Sequence, residues 1–330
     1  MRLIIDCDPG IDDALAILLA LGADLPLHAV TTVAGNVVVE QSTSNALTVL
    51  AVADRLDLPV YEGASAPLLG ELPETSSSHG LDGLGGQGET PLRTSAFSTP
   101  ALDALLHASK AEGAPLTIAA IGPLTNIAQA VIADPEFASR VEHLVIMGGA
   151  IGAGNVTPAA EFNFWHDPHA ADIVLRAGFR SVDIVGLDVT GQVFLDAETR
   201  ERIRYQGTEV AEFVYEMTRD YFDAYWRSHG VVGAEMCDPL VVAHLLDDQI
   251  VTFVDALVEV EVSGESVGRS NVWPVSRYPE KVANARVAVD VDSPAFFHTL
   301  LESIFPQAVT VRPKTETPSE QLQRRAVSFT

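Results

Sequence analysis

Short apolar runs alternate with longer stretches of helical periodicity through the first half of the chain. β-branched and aliphatic residues predict strands at residues 2–6, 27–33, 59–61, 116–121, 141–147 and 182–185. Apolar positions at helical spacing predict helices over residues 12–21, 39–56, 101–111, 124–133 and 168–177. This alternation is the signature of βαβ units, so the expected class is α/β: a mostly parallel central sheet flanked by helices. The second half is more helical, over residues 197–204, 210–227 and 239–246, with late strands at 255–262 and 287–291. Asp292-Ser293-Pro294 supplies a cap and a first-turn proline for a last helix. No clean boundary divides the pattern, so residues 1–312 are expected to form one domain and 313–330 a polar tail. The stretch 63–98 is rich in Gly, Ser, Pro and Thr, and its length marks it as a lid or binding loop.

Composition narrows the function classes. Hydrophobic residues make up 47% of the chain, enough for a large core. Net charge is −25 with three lysines, which excludes a general nucleic-acid binder, because phosphate backbones are held by Lys and Arg. Cys7 and Cys237 do not make a disulfide framework. No apolar run is long enough to cross a bilayer, and no signal-like start precedes the first strand. The expectation is a cytoplasmic protein acting on a small molecule.

Chemistry concentrates at predicted strand ends. Leu3-Ile4-Ile5-Asp6-Cys7-Asp8-Pro9-Gly10-Ile11-Asp12-Asp13 gathers four carboxylates within eight residues, after a buried strand and around a Pro-Gly turn. Gathering that much negative charge there is costly unless a cation joins it, and an oxygen-rich cage suits Ca²⁺ or Mg²⁺. Helix capping explains one such aspartate, not four. Asp6 and Asp8 share one face of the strand and Cys7 takes the other, where it reads as core. Further polar clusters follow other strands: Thr32-Val33-Ala34-Gly35-Asn36, Gly122-Pro123-Leu124-Thr125-Asn126, Met147-Gly148-Gly149, Gly154-Asn155, Glu161-Phe162-Asn163 and Cys237-Asp238-Pro239. Singly each is turn or cap chemistry; their repeated position at strand ends points to one site.

In order and spacing these motifs resemble the nucleoside hydrolase family, the inosine–uridine-preferring N-ribohydrolases, from residue 2 to the final helix. The resemblance implies a Ca²⁺-dependent enzyme that hydrolyses ribonucleosides to ribose and free nucleobase. It implies that Asp8, Asp13 and Asp238, with the main-chain carbonyl of Ile121, hold Ca²⁺, and that Asp8 is the general base. Asp12, Asn36, Met147, Asn155, Glu161 and Asn163 would form the ribose pocket, with Asp6 supporting them from behind. Homodimers or homotetramers are expected on the same ground.

The match breaks at Cys237, where better-studied members carry a histidine that helps protonate the departing base. A thiol is a weak donor there, and a small packed residue is an equally good reading. Base-side chemistry then falls to His79, Tyr221, Tyr225, Trp226 and His229, with Trp165 and His166 as further wall candidates. Core packing of an amphipathic helix is the competing reading for the tyrosines. Two alternatives to the hydrolase stand: a nucleoside- or ribose-binding protein that kept the metal site, and an aspartyl phosphatase of the haloacid dehalogenase type. The second lacks a well-placed lysine and leaves Asp12 and Asp13 without a role.

Overall fold

The computed structural model describes residues 1–71, 78–88 and 96–306. The tail at 313–330 and parts of the 63–98 loop lie outside the described residues. The chain runs β1 (Arg2–Cys7), α1 (Ile11–Gly22), β2 (Leu27–Thr32), α2 (Val39–Val52), β3 (Val60–Glu62), α3 (Ala101–Lys110), β4 (Leu116–Ala120) and α4 (Thr125–Ala133). Then come α5 (Phe137–Arg140), β5 (Val141–Met147), α6 (Phe162–His166), α7 (Pro168–Arg176), β6 (Val182–Val185), α8 (Leu187–Thr190), β7 (Phe194–Asp196) and α9 (Ala197–Arg204). The last elements are α10 (Glu209–His229), β8 (Gly233–Glu235), α11 (Cys237–Leu246), β9 (Val251–Val260), β10 (Ser270–Pro274), β11 (Ala285–Val291) and α12 (Ser293–Ile304).

Among the described residues nine strands form one sheet in the order β10-β9-β11-β6-β5-β4-β1-β2-β3. The pairs from β11 to β3 are parallel, and only β9 opposes its neighbours. The fold is therefore the expected α/β class with a mixed, mostly parallel sheet. Its 3-2-1-4-5-6 stretch reverses direction between β1 and β4. Ligands of such sheets bind beyond the carboxyl ends of the strands at that switch point.

Side-chain alternation along β1 divides the core. Leu3, Ile5 and Cys7 enter the layer that also holds α1 and α11, while Ile4 enters the opposite one. Helix α1 is buried continuously from Ile11 to Ala20, as expected of a helix apolar on all sides. It packs against α11 and α12, so residues near the start of the chain meet residues more than two hundred positions later.

Some boundaries differ from expectation. Helix α2 stops at Val52 rather than 56, because Asp54 takes a left-handed φ of 55°. Helix α11 begins at Cys237, with Pro239 in its first turn where no backbone N–H is required. The β7–β8 strands are three residues each, too short to show a period, and β10 is an edge strand that begins with Ser270-Asn271 and ends in Pro274.

A second acidic feature lies on β6. The carboxylate of Asp183 is fully buried and accepts from Arg286 Nε at 2.7 Å and Nη2 at 2.6 Å. It also accepts from His143 Nε2 at 2.8 Å and His244 Nε2 at 2.9 Å. Burial pushes this acid up, but the His143, His244 and Arg286 donors outweigh it and hold Asp183 well below the usual carboxylate range. The cluster ties β5, β6, β11 and α11 together. Among the described residues no helix is long and apolar enough to cross a membrane.

Candidate active site

The site is built around Asp8, just past β1. Its Oδ2 accepts the Asn36 backbone N–H at 2.6 Å, and its own backbone N–H donates to Asp13 Oδ1 at 3.2 Å. Two glycines make room for it. A Cβ on Gly35 would come within 2.1 Å of Asp8 Oδ2, and one on Gly122 within 2.5 Å of Oδ1. The Ala-Gly-Asn and Ile-Gly-Pro motifs therefore keep glycine so that two strand ends can close on one carboxylate. Asp6 lies behind, its Oδ1 accepting from Thr31 Oγ1 at 2.5 Å and Asn126 Nδ2 at 2.8 Å. Asn126 also reaches Thr32 O and the Ala64 N–H, so this motif asparagine braces the site floor.

The tightest acidic group is Asp12, Asp13 and Asp238, with carboxylate oxygens within 4.8 Å of one another. Asp13 Oδ2 accepts the Gly10 N–H at 2.8 Å, which fixes the turn into α1. Asp238 arrives on the first turn of α11. Asp8, Asp12, Asp13 and Asp238 are all buried. Burial, then the charge of Asp13, holds Asp8 well above the usual carboxylate range, and burial with Asp12, Asp13 and Asp8 does the same to Asp238. Burial lifts Asp12 to about 6, and burial with the Asp12 charge lifts Asp13 to about 6. Among the described residues the one basic side chain paired with this group is His79, 3.8 Å from Asp12.

His79 is itself neutral. Burial brings its pKa down to about 4, and its Nδ1 accepts the Ile11 backbone N–H at 3.2 Å. That bond leaves the ring proton on Nε2.

A second wall comes from the ends of β4 and β5 and the start of α6. Asn163 Nδ2 donates to Ile121 O at 2.9 Å and Met147 O at 3.1 Å. Glu161 caps α6, accepting from the backbone of Asn163 and Phe164, and also from Gly149 N at 2.9 Å. Burial raises its pKa to about 7. Asn155 sits at the rim, its Oδ1 accepting the Phe162 N–H at 3.0 Å.

The third wall is α10 with the start of α11. His79, Tyr221, Tyr225 and His229 form a continuous ring contact, with successive centroids 5.0, 5.2 and 5.3 Å apart. Cys237 opens toward them. Burial, then the Asp12 and Asp238 charges, pushes its thiol well up, so it stays protonated.

These walls enclose a cavity of about 690 Å³. Asp12, Asn36, His79, Ile121, Met147 and Asn155 line it, as do Glu161, Asn163, Trp165, Tyr221, Tyr225, His229, Cys237 and Asp238. Asp8 and Asp13 are buried and are not among its lining residues. Trp226 is 58% exposed and His166 is buried; neither lines the cavity. Ser228 and Glu235 do line it, though nothing in the sequence singled them out. Glu235 stands three residues before Asp238, and that proximity is the one signal that could have marked it.

A protein-family model described as inosine-uridine preferring nucleoside hydrolase matches residues 3–298. The pyrimidine-specific ribonucleoside hydrolase RihA of Shewanella woodyi is 41% identical over 308 residues, covering 92% of this chain and 97% of that one. RihA of Shigella boydii is 38% identical over 307 residues, covering 92% and 98%. Among solved structures, the plant nucleoside hydrolase PpNRh1 superposes with a TM-score of 0.87 at 34% identity, covering 92% of this chain and 98% of that one. A purine-preferring ribonucleoside hydrolase from Gardnerella vaginalis gives 0.86 at 34% identity, covering 93% and 99%.

Proposed function

The chain belongs to the inosine-uridine preferring nucleoside hydrolase family and is a ribonucleoside hydrolase that cleaves the N-glycosidic bond, and from that premise we propose how its residues divide the work. The observation that carries the proposal is the group of buried carboxylates at the switch point with no Lys or Arg partner among the described residues. Their donor set is all oxygen, and burial plus mutual repulsion penalises their ionised forms. Both features fit a hard divalent cation. Asp8, Asp13 and Asp238 would hold Ca²⁺ together with the Ile121 carbonyl, whose position Asn163 Nδ2 fixes. When bound, Ca²⁺ supplies the charge that orients the ribose diol and makes a nearby water a stronger acid.

Asp8 then takes the water's proton. The Asn36 backbone N–H donates to its Oδ2 and holds the carboxylate in place. The water oxygen bonds to the anomeric carbon as the C–N bond breaks, and its electrons leave with the base. Asp12 and Asn36 bind ribose hydroxyls, while Glu161, Asn163 and Met147 place oxygens and a sulfur against the sugar. Those electron-rich groups stabilise the positive charge that develops on the ring.

The base lies along the α10 wall. The Nε2–H of His79 and the hydroxyls of Tyr221 and Tyr225 donate toward it, and the protonated Cys237 thiol stands where other members carry histidine. RihA relatives are named pyrimidine-specific, so uridine and cytidine are the first substrates to test. Residues 1–312 act as one catalytic unit, since β1, α1 and α11 share one site. A homodimer or homotetramer is expected in sedimentation experiments. The direct test is ribose release from uridine, cytidine, inosine and adenosine. We expect it to stop in EDTA and return with added Ca²⁺; undiminished release in EDTA overturns the metal assignment.

A further inference from the structure

Glu235 ends β8 and lines the cavity beside Tyr225 and Cys237. No step above uses it. Among the described residues its carboxylate has no hydrogen-bond or ion-pair partner. Its Oε1 lies over Gly191, 3.6 Å from where a Cβ would stand on that glycine. Glu235, Tyr225 and Cys237 all line this cavity, so its carboxylate shares the space they border.

The other acids lining the cavity are already committed. Asp12 and Asp238 belong to the carboxylate group at the floor, and Glu161 is held by three backbone N–H groups on the sugar side. No Lys or Arg lines the cavity among the described residues. Glu235 is therefore the open acceptor on the wall where the nucleobase lies. An open carboxylate sorts bases by what they present to it. An exocyclic amino group donates a charge-assisted hydrogen bond; a keto oxygen at the same place meets like charge and leaves the acid desolvated without a partner.

The geometry points to Glu235 as a specificity-determining residue whose carboxylate accepts from the exocyclic amino group of the base, favouring cytidine over uridine and adenosine over inosine. This rests on the base-side placement proposed above. One hydrogen bond to a charged group corresponds to a preference of about ten-fold or more.

The test compares kcat/KM for the four nucleosides in the Ca²⁺-loaded wild type, Glu235→Ala, Glu235→Gln and Tyr225→Ala. We expect amino substrates to lead their keto counterparts by about ten-fold or more in the wild type. In Glu235→Ala the cytidine value falls and the uridine value rises, so the ratio drops toward one. Glu235→Gln, which can donate as well as accept, also moves it toward one. A wild-type ratio at or below one, or a ratio that survives in Glu235→Ala, overturns the inference. Tyr225→Ala separates the two levels: if the base lies on this wall it weakens all four substrates whatever Glu235 does. If it weakens none, the placement itself has failed and the inference with it.

Discussion

Helix α11 passes between two buried acidic clusters that solve the same problem in opposite ways. Its first turn carries Asp238 into the group with Asp12 and Asp13, where the charge of Asp8 also acts on it. Six residues on, about 9 Å along the axis, His244 donates to Asp183. Asp183 is matched by two histidines and a bidentate arginine, and its pKa is held low. The four acids at the other end have neutral His79 for a neighbour, and their pKa values are held high. Burial is common to both. The difference is whether the chain itself supplies the positive charge. Where it does, the acid is a fastener between strands; where it does not, the proposed reading has a cation come from outside and bring substrate with it.

The comparison is broken most severely by exchanging the acids for amides. Asp8→Asn removes the proton acceptor, and we expect kcat for ribose release to fall by about two to four orders of magnitude, the range of a lost general base. The same variant in EDTA should unfold at a higher temperature than the wild type, because one repelling charge is gone. Asp183→Asn should do the reverse. It leaves His244 buried without its ionic partner, and we expect a stability loss of about 3 kcal/mol in urea titrations. The value sits at the lower end for a buried pair because the Arg286 side chain is 47% exposed. No loss, or a gain, would remove the contrast.

pH sharpens it further. Asp12 and Asp13 have folded pKa values of about 6 against an ordinary 3.8, so the metal-free fold binds more protons than the unfolded chain between those values. Its stability therefore falls as pH rises from about 4 to 6 and stays lower above. Asp183 acts with the opposite sign: its contribution is complete above the usual carboxylate range and is lost as pH falls below it. Thermal unfolding with saturating Ca²⁺ should accordingly show a larger stabilisation at pH 7.5 than at pH 5, about 2.7 kcal/mol at a hundred-fold excess over Kd. Equal stabilisation at both values would detach the acids from the ion. The smallest effect is expected at Cys237→Ser, where a hydroxyl replaces a neutral thiol and kcat should drop by less than about ten-fold. A loss of several orders of magnitude with calcium content unchanged would make the thiol catalytic.

These two clusters differ equally in how they announce themselves in the sequence. Asp6, Asp8, Asp12 and Asp13 sit on one strand end and one helix start, so local geometry alone brings them together. Asp238 joined them through the family resemblance and not through any local pattern. Asp183 was invisible, because its partners come from residues 143, 244 and 286 on three other elements, and each reads alone as an ordinary polar position. The parallel strands were legible from their continuous apolar runs. The β7–β8 ladder was not, being too short to show a period, and neither was β10, an edge strand with a polar start and a proline end. Glu235 escaped for a related reason: β8 is three residues long, and only the folded chain reveals which way its last side chain faces.

The central claim is that the unpaired acids form a single cation site on which N-glycosidic cleavage depends. Its most direct test is a calcium titration of EDTA-treated protein, with bound ion and ribose release from uridine followed together. We expect both to rise in parallel and saturate at one Ca²⁺ per chain. Full ribose release before any ion is bound, or saturation of binding with no return of release, would contradict it.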